Sequence, residues 1–278
     1  MKRLTARNKA LLLAPTSVLV ILPFVLSLCM LLAYSFMDRL TGRFQADAWR
    51  SFFSDPYYWS VTGETLRLAV IITAICLVVA YPTALALSRV RSPAFAALCY
   101  LVLFAPLLMS TIVRAYGWIL LPSGGGLINQ MLQALGVGPV RMMQNEIGVI
   151  VAMVHVLIPF AVLPLLSIFR LIPPDYADAA RDMGASPLQA FVKVTLPMSL
   201  PGILVACQIV FALSVSAFVT PNLLGGGRVV TLAGLVYESV GTLAWSMAAA
   251  MSIVLLVIAI IALVLLDRFG RSTYGTQS

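Results

Sequence analysis

The 278-residue chain carries a formal charge of +8, yet only 10% of its residues are charged and 61% are hydrophobic, with a mean hydropathy of +1.02. A soluble domain has about 25% charged residues, so the composition excludes a globule clothed against water and points to a chain that meets lipid. Four cysteines (Cys29, Cys76, Cys99, Cys207) lie inside apolar runs with no C-x-x-C spacing, which reads as small buried hydrophobes rather than a disulfide framework or a metal site.

The first element begins like a signal peptide, with basic residues before an apolar run. That run extends uncharged from Ala10 to Met37, far beyond a signal core, and no A-x-A cleavage site is evident. Leu28 stands where a lipoprotein site at Cys29 would need a small residue. The expectation is a retained first transmembrane helix, about 11–36. Since a crossing needs roughly 20 apolar residues, five more spans follow at about 67–88, 93–113, 147–169, 200–220 and 243–266. The uncharged stretch 115–140 holds "PSGGGLINQ" and "GVGP". Irregular backbone is not tolerated against lipid, so it reads as an outside loop with a short amphipathic or re-entrant helix near 127–135. The chain is thus expected to be all-α, a single transmembrane domain of six helices over 1–278.

Charge sets the orientation. With both termini cytoplasmic, the inner segments hold 11 of the 18 Lys and Arg, including Lys2, Lys9 and Lys193, and the outer segments hold six of the ten acids. This follows the positive-inside rule. The basic balance is explained by topology, and nucleic acid is not expected as a partner; the lipid bilayer is.

Within the third span's exit, Arg114, Tyr116 and Trp118 suit a snorkelling arginine with interfacial aromatics, and an outer gate is the functional reading. His155, the only histidine, lies in the fourth span four residues before Pro159. Ionisable groups at such depth invite a proton-relay role, but a neutral imidazole packed in a proline-kinked helix is the expected one.

Between the fourth and fifth spans lies "DYADAARDMGASPLQAFVKVTLP", residues 175–197, with three of the ten acids. Pro173 and Pro174 stop the fourth span. A short helix from Asp175 to Met183 aligns Tyr176, Ala179, Ala180 and Met183 on one face. Gly184 suits the left-handed residue that ends helices. Ser186, Pro187 and Gln189 form an S-x-x-Q capping box that restarts one, through Phe191 to about Leu196, halted by Pro197. Two short helices around a fixed elbow, with an alanine face, read as a docking element for a cytoplasmic partner rather than a plain connector. In and beyond the fifth span, Ser214, Ser216, Thr220 and Asn222 read either as helix–helix glue or as lining of a translocation path.

The pattern Asp178-Ala179-Ala180-x-x-x-Gly184, then ten residues on to Val194 and Leu196-Pro197, resembles the EAA loop of permease subunits of binding-protein-dependent ABC importers. "YPTALALSR" (81–89), "RAYGWILL" (114–121), "GLIN" (126–129), the run 163–186 and "FVTPNLLGGG" (218–227) resemble the spermidine/putrescine branch. One departure is Asp178, where that family usually has glutamate, one methylene longer. The resemblance implies a type I importer permease (MetI-like) architecture in a bacterial cytoplasmic membrane. It also implies that loop 171–197 couples to the ATPase through Tyr176, Asp178, Ala179, Ala180, Met183, Gly184, Ser186 and Phe191. Tyr81, Ser214, Ser216, Thr220 and Asn222 become candidates for the substrate path. The implied partners are an ATPase dimer that binds ATP and Mg²⁺, a second homologous permease forming a heterodimer, and an extracytoplasmic solute-binding protein. This chain itself then holds no cofactor and is no enzyme.

The residues agree with a separate motor. The chain's three lysines do not follow a glycine loop, so there is no Walker A. "GGGR" (225–228) reads as a turn. Neither a G-x-S-G nor a His/Glu ligand set for an intramembrane protease is present. The resemblance makes a polyamine the expected solute, although no acid lies mid-span. Opine, aminophosphonate, thiamine or iron importers remain alternatives, as do a secondary transporter, disfavoured by the lack of an internal repeat, and a membrane scaffold.

Overall fold

The computed structural model describes residues 6–37, 44–136, 144–173 and 175–274, with side chains from 18 to 268. Lys2, Arg3, Pro174 and "GVGP" from Val137 onward lie outside the described residues. Thirteen α-helices are seen among them, and no strand beyond one isolated bridge between Met37 and Phe44. Five helices are long and apolar enough to cross a membrane, and a sixth crossing exists if one bent pair is counted as a single span. The chain divides into two compact units, 1–59 with 235–254, and 60–234 with 255–278.

In the first unit, α1 (Ala6–Ser35) shows almost none of its apolar side chains buried between Val18 and Ser35. Cys29 is exposed there, which corrects the expectation that all four cysteines are buried; only Cys76 is fully so. A helix that is apolar all round and unburied by its own chain presents that surface to lipid or to another subunit. At its end, Phe36 stacks on Phe44 and Trp49, and Trp49 Nε1 donates to Ser35 Oγ at 3.3 Å. This ties down α2 (Asp47–Ser54), whose one buried side chain is Phe52.

The second unit is built on α3 (Pro56–Ser88), α7 (Glu146–Leu171) and α10 (Leu196–Val215). The second span was expected from about 67; α3 begins 11 residues earlier, and 33 residues make a helix of about 50 Å. Ile72, Cys76, Ala80 and Ala84 recur every fourth residue and are all buried. Small residues on one stripe let helix backbones approach, and Cys76 Sγ lies 3.8 Å from the Val154 carbonyl of α7. α10 closes on α7 at Gly202, where a Cβ would stand 3.0 Å from Ile168 Cγ1.

Far from that crossing, Arg67 of α3 bridges Glu64 (2.9 Å) and Glu146 of α7 (2.6 Å). The Leu232 backbone N–H, fully buried, donates to Thr65 Oγ1 at 2.9 Å, while that hydroxyl donates to the Val61 carbonyl. Thr65→Val keeps the shape and strands the Leu232 N–H. A loss of about 1–3 kcal/mol is expected, read as a lower thermal midpoint in detergent, with Thr65→Ser close to wild type.

The third span differs from expectation. Instead of one helix over 93–113, α4 (Pro93–Leu108) and α5 (Thr111–Leu120) meet at a 100° bend, with an extended Met109 and then Ser110 between them. Pro106 removes an N–H from the last turn of α4. Arg114 reaches back across the bend, its Nη1 donating to the Pro106 carbonyl at 2.5 Å, and so satisfies a helix-end acceptor that α5 cannot. The short helix expected near 127–135 is α6 (Leu127–Ala134).

Candidate functional site

The 171–197 stretch folds from local signals. α7 ends at Leu171, with Ile172 extended before Pro173. α8 (Asp175–Asp182) then turns at Gly184, φ +88°, where Gly184 N–H donates to Arg181 O (2.8 Å) and Ala185 N–H to Ala180 O (3.0 Å). These two bonds form a Schellman ending, which requires the left-handed residue. Both arms of the capping box are present at α9 (Pro187–Ala190): Gln189 N–H donates to Ser186 Oγ and Ser186 N–H to Gln189 Oε1.

The expected stop at Pro197 is not there. Residues 187–215 form one helical run, in which a π-helical turn (Phe191–Thr195) leads directly into α10. The wide turn sends Leu196 N–H to the Phe191 carbonyl, five residues back. The ladder is therefore already shifted where the proline, which has no N–H, enters it. The second loop helix is in consequence rigidly joined to a long apolar helix.

The predicted face of α8 divides. Ala180 is buried where α8 packs on α9, together with Ala190. Tyr176 (53% exposed), Ala179 and Met183 (84%) face outward with Asp178, and Leu188 of α9 (71%) extends the surface. Sequence reasoning missed Leu188; its sign was an apolar side chain in the first turn after Ser186-Pro187. Asp178 meets Arg181 at 3.7 Å with both side chains more than half exposed, so the acid is not sequestered. Phe191, a coupling candidate, turns inward instead, its ring 5.8 Å from that of Tyr81.

Tyr81 also packs edge-on to Phe169 at 5.1 Å and shares a 2.8 Å hydrogen bond with Ser199. It thereby joins α3, α7, the π-turn and α10 at the loop end of the unit. Ser214, at the other end of α10, is 15 residues from Ser199, about 22 Å along the axis. The structure therefore does not bring Tyr81 together with the other path candidates. Tyr81→Phe retains both ring contacts and loses only the hydroxyl bond, so a destabilisation of about 1 kcal/mol is expected by denaturant titration.

Of the remaining four, Ser214 is buried with a hydroxyl that has no hydrogen-bond partner among the described residues, and Thr220 is buried on α11 (Val219–Gly225). Ser216 and Asn222 are exposed, Ser216 bonding back to the Leu213 carbonyl. The fifth helix ends at Val215 rather than near 220. "GGGR" is a turn, with Gly226 left-handed and Arg228 N–H on Gly225 O.

The three gate candidates share α5 but not a role. Arg114 braces the bend, Tyr116 is exposed, and Trp118 Nε1 donates to His155 Nδ1 of α7 at 3.4 Å with the rings edge-on. His155 thus has a local hydrogen bond to α5. No group of three His, Cys, Asp or Glu is placed to hold a metal among the described residues.

Comparison with known proteins adds three findings. Residues 8–273 match the family described as binding-protein-dependent transport system inner membrane component. The chain is 32% identical over 214 residues to the spermidine/putrescine transport system permease protein PotB of Haemophilus influenzae, covering 74% of each, and 33% identical over 207 residues to that of Escherichia coli K12, covering 73% and 75%. In fold it is similar to a chain of a bacterial alginate ABC transporter solved with an alginate-pentasaccharide-bound periplasmic protein, with a TM-score of 0.76 at 18% identity over 94% of this chain and 93% of that one.

Proposed function

The chain belongs to the family of inner membrane components of binding-protein-dependent transport systems, and from that premise we propose that it forms half of the translocation path of an ATP-driven polyamine importer. It is a multi-pass inner-membrane transport subunit and not an enzyme. The observation that carries the solute class is the identity of 32–33% over about three quarters of the chain to spermidine/putrescine permeases.

In this reading both termini and the 171–197 loop are cytoplasmic, and the lipid bilayer surrounds six crossings with α4 and α5 as one bent span. Tyr176, Asp178, Ala179, Met183 and Leu188 form the surface that meets a separate ATPase, which binds ATP and Mg²⁺. Gly184 and Ser186 fix the elbow, and Ala180 and Phe191 anchor it from within. A second, homologous permease completes the path, and an extracytoplasmic binding protein delivers the solute. ATPase closure biases a two-state element, and the continuous helix 187–215 supports transmission, because it carries a push at α9 into the membrane without a hinge. Ser214, Ser216, Thr220 and Asn222 are the path candidates at its far end, and Arg114, Tyr116 and Trp118 lie on α5 as the outer-gate candidates.

The test is uptake of labelled spermidine and putrescine by a strain lacking polyamine import, supplied with the chain and its partner subunits. ATP-dependent, saturable uptake that unlabelled spermidine competes away is the expected result. Accumulation that persists without the ATPase would place the chain with secondary transporters instead.

A further inference from the structure

In the second unit, four arginines have identified partners: Arg67 has Glu64 and Glu146, Arg170 donates to the Tyr100 hydroxyl, Arg114 holds the Pro106 carbonyl, and Arg181 meets Asp178. Arg89 and Arg91, in the turn between α3 and α4, show no side-chain hydrogen bond or ion pair among the described residues. Both line a cavity of about 480 Å³, and Arg181 of α8 lines it as well. Cavities of roughly 300–1,000 Å³ are the size of small-ligand sites.

Its lining is two-sided in chemistry. Leu85, Phe169, Ile172 and Val194 supply apolar wall, and Ser88, Thr195 and Tyr176 supply hydroxyls. Asp178 is the single carboxylate, at 3.7 Å from Arg181 and solvated. Three guanidinium groups against one carboxylate leave the cavity with a net charge of about +2. A topology signal alone needs charge in the turn but no cavity. Guanidinium forks match phosphate oxygens two at a time, and basic pockets at the cytoplasmic ends of membrane helices take anionic headgroups.

We propose that this cavity binds a phosphate-bearing anion, clamped between Arg89 and Arg91 of the α3–α4 turn and Arg181 of α8. The anion comes from a phospholipid headgroup or from free phosphate. Bound there, it ties the docking loop to the base of α3, so loop rigidity depends on occupancy. The proposal rests on the cytoplasmic placement of the loop given above.

The experiment uses the importer purified in its assembly from vesicles of phosphatidylcholine with phosphatidylglycerol, with lipids retained by this subunit counted by native mass spectrometry. Wild type is expected to retain phosphatidylglycerol. Arg89→Gln with Arg91→Gln should lower retention by about tenfold or more, as expected for loss of charge-assisted hydrogen bonds. Ala177→Trp, which fills the cavity without changing charge, should do the same, while Arg228→Gln, outside the cavity, should not. Displacement of the lipid by excess inorganic phosphate assigns the site to a soluble anion; resistance assigns it to the headgroup. Equal retention by wild type and the double variant overturns the proposal. Orientation is read separately, by impermeant maleimide at Ala185→Cys against the unsubstituted chain. Labelling from the outer side sinks the topology without touching the lipid count.

Discussion

Gly184→Trp is expected to abolish ATP-driven uptake while leaving a membrane-inserted, helical chain. Two effects combine at this position. Any L side chain at φ +88° carries left-handed strain of about 1–2 kcal/mol, and the indole would project from the surface that Met183 and Leu188 leave exposed. A Cβ at Gly184 meets nothing within 4 Å, so the chain itself has room, and under the proposed coupling role the obstruction falls on the ATPase. Gly184→Asn separates the effects, because asparagine tolerates the left-handed region. It should retain most of the uptake and pull down the ATPase, whereas the tryptophan variant should lose both. ATPase recovery unchanged with Gly184→Trp would remove the loop from the coupling role.

Gly126→Val is expected to unfold the turn that seats α6. Three glycines stand in a row, yet only the last is required. Its φ of −76° suits any residue, but a Cβ there would lie 2.3 Å from both the Leu120 and the Leu121 carbonyl oxygens. Leu121 O is the acceptor for Ile128 N–H, and the same turn is held by Asn129 Nδ2 on the Pro122 and Ser123 carbonyls. Backbone cannot yield as a side-chain tip does, so about 3 kcal/mol or more should be lost, with new protease cleavage between 121 and 129. Gly124→Ala and Gly125→Ala meet nothing within 4 Å and should match wild type. Intact uptake and unchanged proteolysis for Gly126→Val would mean that α6 is not seated as described.

Both sites show where legibility in the sequence stops. The elbow at Gly184, the Ser186–Gln189 box and the helix at 127–134 were readable because each is made within a few residues of itself. Gly126 was readable only as one glycine of three, since the need for it lies in two carbonyls folded back over it. The candidate side chains sort in the same way. Met183 and Ala179 follow from helical period, while Tyr81 reads as a path residue until its 118-residue-distant bond to Ser199 sets it at the loop end.

Apolar run length and charge placement alone determined that the chain is helical, crosses a membrane and breaks its run with a capped two-helix loop. Burying backbone polar groups in lipid allows little else, and capping is local chemistry. The tertiary structure decided what local rules leave open. At the 100° bend between α4 and α5, Arg114 takes up the Pro106 carbonyl that the break exposes, and so holds the bent arrangement. Pro197 continues a helix because a π-turn shifts the ladder beneath it. Ala180 rather than Ala179 turns inward because α8 lies against α9. Each outcome depends on which hydrogen-bond and packing partners the fold supplies, and those partners lie beyond the reach of residue spacing.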